Sequence, residues 1–89
     1  MTKFFDYYSS FEEFFDSLLR GNEIEFLFKS KRYYLLPVFS ASQDVDGVVI
    51  GNLECETYYH SKAELCKHTI EGLPLIDILD EIEIVWRNF

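Results

Sequence analysis

The chain has 89 residues, carries a formal net charge of −8 and is 48% hydrophobic, with 18% aromatic residues. That balance bounds it to a single domain, 1–89, and excludes intrinsic disorder. It also excludes direct binding to nucleic acid or to an anionic membrane, because both need a basic face.

The first strong signal runs from Ser10 to Arg20. Phe11, Phe14, Phe15, Leu18 and Leu19 fall on one face of a helix. Glu12, Glu13, Asp16 and Arg20 take the other. Ser9 and Ser10 each have a glutamate three residues on, and either can close a capping box. Gly21 stands where a left-handed C-cap belongs. The few residues before this helix are expected to fray.

Ile24, Phe26 and Phe28 then alternate with Glu23, Glu25 and Leu27, the period of a strand. A turn at Ser30-Lys31 leads into a second strand, Arg32 to Ser40, which makes a hairpin. Pro37 lacks an N–H, so it belongs at an edge, a bulge or a non-bonding position. Ala41 to Gly47 has loop composition, with Asp46-Gly47 as a turn signal. Val48 to Glu56 resumes a strand, with an interruption at Gly51-Asn52 and an extension through Tyr58 and Tyr59.

Ser61 and Glu64 form another capping box, opening a short helix through about His68. Glu71-Gly72 breaks it, and Pro74 suits the first position of a further short helix, Leu75 to about Asp80. The chain ends in a strand, Glu81 to Arg87, in which Ile82, Ile84 and Trp86 alternate with Glu83, Val85 and Arg87. The expected fold class is α+β in the order α-β-β-β-α-α-β. It comprises an N-terminal amphipathic helix, a three-stranded antiparallel meander, two short helices and a C-terminal strand that completes the sheet at one edge.

Several segments form a familiar pattern. Gly21-Asn22-Glu23-Ile24-Glu25-Phe26 follows an aromatic helix. Ser61-Lys62-Ala63-Glu64-Leu65 opens a later one. Ile70-Glu71-Gly72-Leu73-Pro74-Leu75 precedes Ile82-Glu83-Ile84. The chain resembles a family of small uncharacterised α+β proteins of Gram-positive bacteria and their phages, whose pattern reads G-x-E-I-E-F, S-x-E-E-L, I-x-G-x-x-L and I-E-I. Glu71 stands where that family commonly has Asp, and Leu79 where it has Trp. The resemblance implies the fold and no particular activity.

Candidate chemistry is sparse. Cys55, His60, Cys66 and His68 have the spacing C-x4-H-x5-C-x-H, which matches no structural zinc module. Cys66 and His68 are two apart on a predicted helix and do not face each other. Asp44-x-Asp46-Gly47 resembles part of a calcium loop but lacks its bidentate glutamate. Phosphate-binding and hydrolase motifs are absent. No enzyme, cofactor or metal site is therefore expected. The two cysteines read as free thiols. No stretch approaches the roughly 20 apolar residues that span a bilayer, and the segment from Met1 lacks the apolar run of a signal peptide. A cytoplasmic setting is expected.

There are three tyrosine doublets, Tyr7-Tyr8, Tyr33-Tyr34 and Tyr58-Tyr59, and those on strands should each place one ring in the core and one at the surface. Acidic residues cluster at Glu12, Glu13 and Asp16, at Glu23 and Glu25, and at Asp77, Asp80, Glu81 and Glu83. The expectation is a non-enzymatic protein-interaction module of a phage, immunity or antitoxin-like setting with a basic protein partner. Its candidate surface comprises Glu12, Glu13, Asp16, Glu23, Glu25, Tyr34, Tyr58, Asp77, Asp80 and Glu83. The alternatives are an acidic nucleic-acid mimic, a small ligand-binding domain or enzyme, and a homodimer formed through edge strands or exposed aromatics.

Overall fold

A computed structural model of the chain describes residues 2–42 and 44–88. The signal-peptide expectation at Met1 and the loop expectation at Gln43 fall on residues outside that description.

The strands are β1 (Thr2–Lys3), β2 (Ile24–Phe28), β3 (Lys31–Phe39), β4 (Val45–Gly51), β5 (Glu56–Tyr59), β6 (Thr69–Ile70), β7 (Leu73–Pro74) and β8 (Glu83–Arg87). Six of them build one antiparallel sheet in the order β1-β8-β2-β3-β4-β5, and β6 and β7 form a separate small hairpin. The α+β class holds, but the expected element order does not.

The meander has four strands, β2 to β5, rather than three. The predicted third strand breaks because the Asn52 side chain closes a turn. Its Oδ1 accepts from the Glu54 and Cys55 amides at 2.9 and 3.1 Å, while the Asn52 amide donates to the Cys55 carbonyl at 3.0 Å. Asp46-Gly47, read as a turn, lies inside β4. Asp46 is the extra residue of a bulge there, since Val38 pairs with Gly47 and Phe39 with Val45. The β2–β3 turn is one residue earlier than expected, at Lys29 and Ser30, both at positive φ (50° and 67°). That is the twist a two-residue hairpin needs. Pro37 sits where β3 runs past the end of β2, so its missing N–H costs no ladder bond on that side. The final strand joins the meander at β2, and β1 then flanks it.

The helices are α1 (Phe4–Tyr7), α2 (Phe11–Leu19) and α3 (Lys62–Leu65). Thr2 to Tyr8 are built into the fold, not frayed, because Phe4 and Tyr8 are buried in the core and the Asp6 carboxylate accepts from the Lys3 amide at 2.9 Å. Ser10 caps α2, its Oγ accepting from the Glu13 amide at 3.1 Å. The Glu13 carboxylate turns back to Ser9, taking bonds from its hydroxyl and its amide. Those bonds, the hydroxyl's first, hold the Glu13 carboxyl below its usual range. Gly21, at φ 92°, follows α2 in the left-handed region, as a C-cap glycine does. Leu19, read as part of the apolar face, is exposed, while Ser17 is buried and accepts from Asn22 Nδ2 at 3.0 Å.

The helix expected from Leu75 to Asp80 is only a 3₁₀ turn, Leu75–Asp77. Pro74 belongs to the hairpin before it, which turns at Glu71 and Gly72. The Lys31 ammonium donates to Glu71 Oε1 at 2.8 Å and ties that turn to the start of β3.

The core lies on one side of the sheet. Ile24, Phe26, Phe28, Leu35, Val48, Ile50 and Ile84 point from the strands toward Phe14, Phe15 and Leu18 of α2, Leu65 of α3, and Leu75, Ile78 and Leu79. Phe14 is its aromatic hub, with ring centroids 5.2 Å from Phe4, 4.9 Å from Tyr8 and 5.8 Å from Phe11.

Candidate interaction surface

Every second strand residue points away from that core. On β3 these are Tyr34, Leu36 and Val38; on β4, Gly47, Val49 and Gly51; on β2, Glu25 and Leu27. The burial alternation of β2 and β3 fixes this assignment. Cross-strand pairing sets their neighbours. Leu36 stands opposite Val49, and Val49 opposite Tyr58. Glu25 stands between Tyr34 on one side and Trp86 on the other. Leu36, Val38, Val49 and Tyr34 are only half-buried, and among the described residues no helix covers this face.

Trp86 is the residue that sequence alternation misplaces. Alternation with Ile82 and Ile84 puts it in the core. In the structure Phe26 pairs with Ile84 and Glu25 with Trp86, so β8 takes two residues where β2 takes one. Val85 is the extra residue of a β-bulge, and the bulge turns the indole outward, leaving it 44% exposed. No sequence signal marks a bulge without the register of the opposing strand.

The strand tyrosine doublets divide as expected, and the Tyr7-Tyr8 pair divides in the same way. Tyr8 and Tyr33 are buried beside the more open Tyr7 and Tyr34, and Tyr59 is half-buried beside an exposed Tyr58. Tyr7 has a further role, its ring lying 3.4 Å under the Arg87 guanidinium. The Tyr34 hydroxyl donates to the Glu56 carboxylate across β4, and Tyr58 donates to Asp46 Oδ2 at 3.2 Å. The bond to Glu56 stabilises the neutral phenol most, and pushes the Tyr34 pKa up to about 12. Because the folded value lies above the unfolded value of 10.0, this bond's contribution is complete below pH 10.0 and is lost as pH rises through about 12. A pH titration followed on the Tyr34 ring carbons by NMR is expected to return that elevated value. Glu56→Gln should bring it back toward 10.0, and an unchanged pKa in that variant would remove Glu56 as the cause.

The ten candidate residues separate into two groups. Glu23, Glu25, Tyr34, Tyr58 and Glu83 belong to the bare face or its rim. Glu83 is engaged there by the Lys3 ammonium at 3.5 Å. Glu12, Glu13 and Asp16 lie on the exposed side of α2, and Asp77 and Asp80 on the exposed side of the Leu75–Leu79 segment, both in the layer that covers the other face. The candidate surface is therefore not one patch. The sequence reading omitted Leu36, Val49 and Trp86 from the bare face, and also Leu53, which stands fully exposed at the tip of the β4–β5 turn.

Besides a depression of about 800 Å³ along Leu27, Arg32 and Trp86, two further ones lie beside Tyr34 on this face. One, about 350 Å³, is lined by Glu23, Glu25, Tyr34, Leu36 and Trp86. The other, about 550 Å³, lies between Arg32, Tyr34 and Leu53.

The Cys/His set does not assemble. The Cys66 thiol donates to the Ala63 carbonyl of its own helix at 3.2 Å, Cys55 is exposed, and His68 Nδ1 is 2.7 Å from the Tyr59 hydroxyl. Burial lowers the His68 pKa. Among the described residues no three His, Cys, Asp or Glu side chains gather as metal ligands, and no helix is long and apolar enough to cross a membrane.

Set against protein-family models, curated proteins and solved structures, the chain matches none.

Proposed function

We propose that this chain is a cytoplasmic protein-interaction module that docks a basic protein partner on its bare sheet face. One observation carries the reading. Outward positions of a one-sided antiparallel sheet are normally polar, yet here Leu27, Tyr34, Leu36, Val38, Val49, Tyr58 and Trp86 occupy them. A contiguous apolar and aromatic surface rimmed by polar groups is the pattern of a docking site. Its rim carries Glu23, Glu25, Glu56 and Glu83 against Arg32 and Lys3, and with the net charge of −8 this favours a cationic partner. Both cysteines are free thiols, which suits a reducing compartment. The nucleic-acid mimic draws less support, because the carboxylates are divided between opposite layers of the domain.

The test is capture from a bacterial lysate by the immobilised protein at low and high salt. The wild type is compared with Leu36→Glu on the bare face and Asp16→Lys on α2. A dominant protein is expected to be held by the wild type and by Asp16→Lys, and to be weakened about tenfold or more by Leu36→Glu and by salt. Circular dichroism is the control that both variants are folded. Capture that survives Leu36→Glu but is lost with Asp16→Lys would move the surface to the helix layer and overturn the reading.

A further inference from the structure

Resting on that reading, we propose that the depression between Glu23, Glu25, Tyr34, Leu36 and Trp86 seats one arginine side chain of the basic partner.

The cross-strand row Trp86–Glu25–Tyr34 places a carboxylate between two aromatic rings on adjacent strands. Glu23 brings a second carboxylate to the same depression, and Leu36 an apolar wall. The ion pairs among the described residues use Glu12, Glu71 and Glu83, so neither Glu23 nor Glu25 is held in one, and Arg32 lines the neighbouring depression with Glu25 without pairing to it. Neither side chain accepts a hydrogen bond from a described side chain or amide. The site is thus an aromatic and aliphatic hollow with two uncommitted negative charges.

Arginine fits that chemistry better than other cations. Its planar guanidinium stacks on an indole or phenol ring while donating in parallel to carboxylates, and its stem packs on apolar surface. Lysine offers only a compact, strongly hydrated point charge. The hollow is also prepared before binding. The bond to Glu56 pins the Tyr34 ring, and the bulge at Val85 is what aims Trp86 into the row. A bulge that re-aims one side chain beside a cleft is a recurrent feature of functional sites. Pairing this face with a second copy would bring the same carboxylates together, so charge favours a different, cationic partner over self-association.

Trp86 is the only tryptophan, so its emission reports on the surroundings of this one ring, which lines the hollow. The probe is a capped tripeptide, acetyl-Val-Arg-Val-amide, with lysine or citrulline in place of arginine as comparisons. The arginine peptide is expected to change Trp86 emission saturably and to shift its indole N–H resonance. The dissociation constant should be on the order of 1 mM, as one anchor residue allows. Lysine should bind more weakly and citrulline not at all. Glu25→Gln should weaken the arginine peptide about tenfold. Equal binding of citrulline, or no saturable response, would overturn the seat. Loss of lysate capture in Leu36→Glu with full retention in Glu25→Gln would overturn the seat while leaving the docking face standing. Capture indifferent to both variants would remove both. Light scattering that shows concentration-dependent association, abolished by Glu25→Gln, would make a second copy the source of the cation and overturn the assignment to a different partner.

Discussion

Phe14→Ala is expected to destabilise the protein by about 3–5 kcal/mol, the range for removing a fully buried aromatic ring. Phe14 is 1% exposed and touches three other rings, Phe4 of α1, Tyr8 just after it, and Phe11 at the start of α2. Those rings come from segments too short to fold alone, so their rotamers are held by one another and the vacated space cannot collapse cheaply. Domains of this size have a total stability of about 5–15 kcal/mol, so the loss consumes much of it. Chemical denaturation read by far-ultraviolet circular dichroism measures it, with an unchanged slope showing that the midpoint shift is a change in stability. A loss below about 1 kcal/mol would mean that α1 and α2 do not pack as described.

Gly51→Ala is expected to cost about 1–3 kcal/mol, the range for forcing an atom into filled space. Strain in φ is not the cause, since Gly51 is not among the residues at positive φ. The cause is proximity. A Cβ at this position would strike the Cys55 carbonyl oxygen and come within 2.9 Å of the Glu56 Cα. Both obstacles are backbone, held by the Asn52 turn, and neither can rotate away. Relief requires β5 to separate from β4, which also displaces Glu56 from Tyr34 and Tyr58 from Val49. The variant should therefore show faster amide exchange in Glu56–Tyr59 than in β2 and β3, together with a Tyr34 pKa that falls back. Unfolding unchanged within about 0.5 kcal/mol would show that the hairpin is looser than its hydrogen bonds imply.

These two positions show how differently parts of the molecule could be read from the chain. Phe14 announces itself, because its place in the Phe11–Leu18 period needs only helix geometry. Gly51 looks like a strand interruption, which is half right. Its neighbour Asn52 does end the strand, but the close approach of the returning chain shows only when β5 is in place. The proposed site divides in the same way. Glu25 and Tyr34 follow from alternation in a local hairpin, whereas plain alternation with Ile82 and Ile84 gives Trp86 the wrong face.

The sequence by itself determined the local elements. The helix α2, its Ser10 cap and Gly21 terminus, the β2–β3 hairpin and the Ser61 cap of α3 all depend on residues within a few positions of one another. Periodicity and capping chemistry are complete at that range. Only the tertiary structure decided the rest. It placed β8 beside β2, folded the first residues into the core, cut the Leu75 helix to a single turn and inserted the bulge at Val85. Each of these outcomes is set by packing or register between segments distant in the chain. A one-residue change of register exchanges the two faces of a strand, and here it carried Trp86 out of the core and onto the surface opposite Glu25.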